Sequence, residues 1–92
     1  MNYTNIHDGY IFADSYCRYL TESDLVGLNE WELKVARNEI YARHGRLFKN
    51  TSLQNYFDSC YWYKGYISSE NFNNDSLNDY EIYNIKLIKS YE

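Results

Sequence analysis

Three hexads along this chain repeat one arrangement of apolar and polar positions: Leu20-Thr-Glu-Ser-Asp-Leu25, Leu28-Asn-Glu-Trp-Glu-Leu33 and Leu77-Asn-Asp-Tyr-Glu-Ile82. In each, a capping residue (Thr21, Asn29, Asn78) stands three places before a carboxylate (Asp24, Glu32, Glu81). That is the capping-box spacing, in which two orphan amide donors at a helix start are satisfied reciprocally. Apolar residues flank each box at the two positions that form a hydrophobic staple. The pattern predicts a short helical turn near Glu22 to Val26 stopped at Gly27, a helix from about Glu30 to His44, and a last helix from Asp79 to about Tyr91.

The middle helix carries two apolar strips. At roughly 100° per residue, Leu33, Ala36, Ile40 and His44 share one stripe with Arg37 and Tyr41 along its edge, and Trp31, Val35 and Ala42 form the other. A helix apolar on two faces sits between neighbours. Glu39 and Arg43, four apart on the polar edge, stand in the favourable order for an ion pair. Gly45 is placed to take the left-handed conformation that ends the helix. A further helix is expected from about Ser52 to Ser59, capped by Thr51 or Ser52 and burying Leu53, Tyr56 and Phe57. On the last helix Leu77, Glu81, Asn84, Ile85 and Ile88 lie near one face, which makes Asn84 a buried polar candidate. Phe72, in the polar loop from Asn71 to Asp75, is expected to point inward.

Before Thr21 there is no helical period. Tyr10-Ile-Phe12 reads as an extended arm packing through Tyr10, Phe12 and Tyr19, with Tyr66-Ile67 as the available partner for its backbone. The expected fold is therefore all-α: a small single domain of three to four short helices around a central helix (about 30–44), with an extended aromatic N-terminal arm. Residues 1–9, which include His7, read as a linker or tail, and 10–92 as the domain.

The stretch from Ala36 to Gly45 reads Ala-Arg-Asn-Glu-Ile-Tyr-Ala-Arg-His-Gly. Together with Tyr10-Ile-Phe, Asp14-Ser15, Arg18-Tyr-Leu-Thr21, Asp24-Leu25, Glu32-Leu33, Phe48, Tyr56-Phe57, Trp62-Tyr63, Asn84-Ile85 and Ile88, it resembles the YARHG domain, matching that family's name from Tyr41 to Gly45. The resemblance implies a small bacterial module, presumed extracellular, that recurs in lipoproteins, membrane-anchored envelope proteins and secreted multi-domain proteins. It implies no defined activity. Ala13 and Cys17 depart from the polar or proline residues usual there.

Composition narrows the partners. A net charge of −4 opposes nonspecific nucleic-acid binding, which relies on phosphate neutralisation by Lys and Arg. No apolar run approaches a membrane span and no signal peptide opens the chain, so the expectation is an excised C-terminal module of a longer exported protein, with a small native cytosolic protein as the alternative. The basic cluster Arg37, Arg43, Arg46 and Lys49 falls, apart from Arg37, near a helix end where cations complement the dipole. Twelve Tyr, four Phe and two Trp supply the large buried areas that a small domain needs. Cys17 and Cys60 permit one disulfide, which in the chain-entropy model would be worth about 3–4 kcal/mol; two free thiols are the alternative.

Candidate chemistry concentrates on Arg37, Tyr41 and His44, spaced to project together from the central helix. In one reading they form a polar pocket in which Arg37 grips a peptide or cell-wall stem-peptide carboxylate beside His44. In the other, Arg37 pairs with an acid of the last helix, Glu81 first, and His44 bonds a backbone carbonyl. Trp62 and Tyr63 are either an exposed platform or a core plug. Asn29, Glu32, Gly45 and Glu81 are structural. No catalytic set, metal-ligand spacing or cofactor motif is present; Cys60 with His44 is the sole conceivable nucleophile–base pair. The functional expectation is a non-catalytic accessory module that binds peptidoglycan, another envelope component or neighbouring domains of its parent protein. The alternative is a spacer or dimerisation domain that uses the Trp31, Val35 and Ala42 strip.

Overall fold

A computed structural model describes residues 9–92. The linker or tail assigned to 1–9, with His7, lies outside the described residues except for Gly9. Four α-helices follow in order: α1 (Glu22–Leu25), α2 (Glu30–Arg43), α3 (Thr51–Asp58) and α4 (Asp79–Lys89), with a 3₁₀ turn at Asn74–Ser76 before the last.

Capping chemistry sets the helix starts. Asn29 Oδ1 accepts from the Glu32 amide while the Glu32 carboxylate accepts from the Asn29 amide, both within 2.9 Å. Asn78 and Glu81 repeat the exchange, and the Asp24 carboxylate accepts from the Thr21 amide at 2.7 Å. α3 departs from expectation by a residue or two: Asn50, not Thr51 or Ser52, is its cap, accepting from the Leu53 amide. Three residues in a row there are competent to cap, so local chemistry alone does not choose among them.

Gly45, at φ +85°, ends α2 in a Schellman motif. Its amide donates to Ala42 O at 2.9 Å and the Arg46 amide reaches Tyr41 O at 3.4 Å, the 5→2 and 6→1 bonds of that motif. A Cβ there would collide with the Tyr66 ring.

α2 packs on α4 with one face and on α3 with the other. The first contact buries Leu20, Leu25, Leu33, Ala36 and Ile88; the second buries Val35, Ala42, Leu53 and Phe57. Ile11 touches both clusters. The strip considered as a dimer interface is thus covered internally: Val35 and Ala42 are each 1% exposed, and only Trp31 is partly open, set edge-on against Tyr56.

The arm runs over these layers with turns through 13–17. Its Tyr10 stacks on Trp62 at 4.6 Å, and Phe12 joins the α2–α4 core. Tyr19, half exposed, lies against Tyr80 and Tyr83. Tyr66-Ile67 does not pair with the arm. Ile67 instead forms an isolated parallel bridge with Arg46, its amide donating to Gly45 O and its carbonyl accepting from the Leu47 amide. The left-handed turn at Gly45 delivers Arg46 beside Ile67, so that backbone is already satisfied locally.

Candidate functional site

The motif-bearing part of α2 has two polar systems with different characters. The first is buried and fastens the arm. Glu39 is fully buried, and its two carboxylate oxygens accept the amides of Ile11 at 2.9 Å and Phe12 at 2.8 Å. Expected at the polar edge of the helix, it lies inside because the non-helical arm needs an acceptor for those amides. Arg43 donates to Phe12 O and, at 2.7 Å, to Ser15 Oγ. From α4, the fully buried Asn84 accepts the Leu20 amide and donates to the carbonyls of Ser15 and Arg18. Asn84 was legible as a buried polar residue from its place on an apolar face.

Glu81 belongs to the same system and corrects two expectations. It is 3% exposed, and its Oε2 lies 2.9 Å from His44 Nε2 and 4.0 Å from Arg43. His44 therefore bonds a carboxylate and not a backbone carbonyl, and Arg37 is not the partner of Glu81. Among the described residues every buried side-chain N and O has a hydrogen-bond partner. A buried network satisfied in this way holds structure.

The second system is open. Arg37 turns away from the α2–α4 interior and its guanidinium forks onto the Glu92 carboxylate, through Nε to Oε2 and through Nη2 to Oε1 at 3.1 Å. Both side chains keep just under a fifth of their surface exposed. Next to this pair lies a polar cleft of about 290 Å³ lined by Arg37, Asn38, Tyr41, Arg46, Phe72 and Asn74, among others. His44 does not line it, so the expected Arg37–Tyr41–His44 pocket divides: two members face the cleft and the third is spent on Glu81. In place of His44 stands Arg46, a residue assigned from sequence to helix-dipole complementation. Its guanidinium lies 4.9 Å from the Tyr41 ring centroid and 5.2 Å from that of Phe48, and among the described residues it has no carboxylate partner within ion-pair distance. The signal available in sequence was its position between aromatics at Tyr41 and Phe48, just after the helix-ending glycine.

Trp62 and Tyr63 stand apart from this cleft. Trp62 is half-buried, stacked on Tyr10, with its indole N–H donating to Gly9 O at 3.1 Å. The Tyr63 hydroxyl donates to Arg46 O at 2.7 Å and accepts from Gln54; burial pushes that phenol above its ordinary value. Both are half-buried and hydrogen-bonded within the domain, and the Tyr63 hydroxyl holds the Arg46 carbonyl. Cys17 and Cys60 are free thiols, the first exposed and the second partly buried, so the bridge considered from sequence is not formed. The Cys60 thiol is directed at the carbonyls of Tyr56 and Gly9 and the imidazole at Glu81, which separates the conceivable nucleophile from its base. Among the described residues there is no group of three His, Cys, Asp or Glu side chains suited to a metal, and no helix long and apolar enough to cross a membrane.

Comparison with curated proteins and with solved structures returned no match. The family comparison did: the YARHG domain model matches residues 8–92, covering the arm, all four helices, the buried clamp of Glu39, Arg43, His44, Glu81 and Asn84, and the cleft. On that near-complete span, the chain belongs to the YARHG domain family.

Proposed function

We propose that this domain is a non-catalytic accessory module of an exported bacterial protein, working at the cell envelope or outside the cell. Its role is to bind envelope material such as peptidoglycan, or a neighbouring domain of its parent. The module comprises residues 10–92, with 1–9 as connecting chain. The observation that carries this reading is Arg46: a guanidinium fixed between two aromatic rings, unpaired, and facing a cleft. Unpaired cations held rigid are costly to the fold and suited to recognition, since the geometry for a charged partner is already set. Support also comes from membership of a family presumed extracellular and from the separate partners of Cys60 and His44, which, among the described residues, do not form a nucleophile–base pair.

The test is cosedimentation of the domain with purified peptidoglycan, run beside binding to the flanking domains encoded with it. Retention by either, lost when Arg46 is replaced by Ala in a folded variant, is the expected outcome. Failure to bind both would overturn the reading.

A further inference from the structure

The polar cleft continues. A second cleft of about 290 Å³ shares Tyr41 and Asn74 with the first and is walled by Leu77, Ile82 and Ile85. One end of the joint groove is thus cationic and the other apolar, with Tyr41 and Asn74 between them. Asp75 and Lys86, both on the second cleft, oppose each other in sign, so the net positive charge of the groove sits at the Arg37–Arg46 end.

The Arg37–Glu92 pair shows what that end accepts. A planar carboxylate meets the guanidinium fork through two parallel contacts, the arrangement that gives Arg its specificity for such groups. Arg46 has no such partner, although its position over Tyr41 and Phe48 leaves the guanidinium edge available. A single cleft of this volume falls just below the range for small-molecule sites, about 300–1,000 Å³, so it takes the end of a chain and not a whole folded element.

We propose that this groove binds the free terminal carboxylate of a peptide, with Arg46 as the anchor, Arg37 as a second anchor held in reserve by Glu92, and the penultimate and last side chains over Leu77, Ile82 and Ile85. The proposal rests on the binding-module reading above and names its ligand class. The Asn74 side-chain amide at the waist offers a donor and an acceptor to peptide amides, which favours a peptide over a bare anion. Glu92 is an internal competitor: it occupies Arg37 until an incoming carboxylate displaces it, so its removal strengthens binding.

The test uses N-acetyl-leucyl-leucine as free acid and as C-terminal amide, in L,L and D,D forms, with inorganic phosphate as a further probe. Binding is read from amide shifts in a two-dimensional NMR titration of the intact domain. The free acid is expected to bind at least about tenfold more tightly than the amide, the margin a charge-assisted pair supplies, with shifts centred on Tyr41, Arg46, Phe72 and Leu77. Arg46→Ala abolishes that preference, Arg46→Lys keeps charge but loses most of it, and Glu92→Gln tightens the acid severalfold without affecting the amide. Preference for the D,D acid points to cell-wall stem peptides and for the L,L acid to protein tails; either supports the proposal. Equal binding of acid and amide, or phosphate binding as well as the acid, would overturn it. Retention on peptidoglycan that Arg46→Ala leaves intact, in a domain blind to these peptides, would sink the groove while sparing the wider reading.

Discussion

His44 Nε2 and Glu81 Oε2 lie 2.9 Å apart, joining the end of α2 to the first turn of α4. Each group suits its helix terminus, the imidazole at the carbonyl end and the carboxylate at the amide end. Glu81 does a second job: its other oxygen caps α4 by accepting the Asn78 amide at 2.9 Å. One buried carboxylate therefore starts a helix and fixes how that helix lies on its neighbour.

Replacing it should be costly. Glu81→Ala removes the N3 half of the cap and leaves Arg43 and His44 facing a void, so a loss on the order of 3 kcal/mol is expected in urea unfolding. Glu81→Gln retains a capping amide and should lose less than half of that. Equal midpoints for the alanine variant and the parent would show that the carboxylate holds nothing.

Arg37 and Glu39 are two residues apart and make opposite predictions. Glu39 is fully buried and holds the Ile11 and Phe12 amides; Glu39→Ala should cost about 3–5 kcal/mol and release those two amides to rapid hydrogen exchange. Arg37 is paired with Glu92, and both side chains keep just under a fifth of their surface exposed, so Arg37→Ala should cost less, about 1.5 kcal/mol. Reversed magnitudes would mean that the cleft residue, and not the clamp, supports the fold.

The same two residues mark the limit of what was legible in the sequence. Capping boxes join residues three apart, so Thr21, Asn29 and Asn78 announced three helix starts without tertiary information. Asn84 was legible because an amide on an otherwise apolar face must be buried. Glu39 was not, because its i+4 relation to Arg43 has the look of an exposed pair, and the arm amides it serves are 27 and 28 residues upstream. Arg37 projects beside an apolar stripe, yet its partner, 55 residues away, lies past the end of α4. Periodicity assigns a side chain to a face; it does not register which backbone donors in a non-helical segment will come to need an acceptor. The cleft was half legible for that reason: Arg37 and Tyr41 were found from helical spacing, while Arg46 and Phe72, in loops, were not.

Acid should weaken the junction between the arm and α1. The Arg18 guanidinium, followed by the Thr21 amide, holds the Asp24 carboxyl down at about 2. Its folded value lies below its unfolded one, so the stabilisation is complete above the ordinary carboxylate value of about 3.9 and is lost as pH falls through about 2. Arg18 is 42% exposed and Asp24 24%, so solvent screens the pair and the contribution is under about 1 kcal/mol. Asp24→Asn should cost that much near neutrality and nothing at the acid end. A carboxyl carbon titrating at the ordinary position in NMR would remove the basis for this.

The two thiols should separate by reactivity. The thiolate is the attacking species, and burial, reinforced by the Glu39 charge, pushes the Cys60 thiol above its ordinary value; its sulfur also lies against the carbonyls of Tyr56 and Gly9. Cys17 is exposed at a turn. Near neutral pH, iodoacetamide should therefore label the folded domain in one fast step that Cys17→Ser abolishes. The second label should appear only at the rate at which the arm and α3 open, and urea should accelerate it. Mass spectrometry of the intact chain distinguishes the cases: a single population gaining both labels together would show that the arm does not protect Cys60, and would weaken the picture of Glu39, Arg43 and Asn84 as its fasteners.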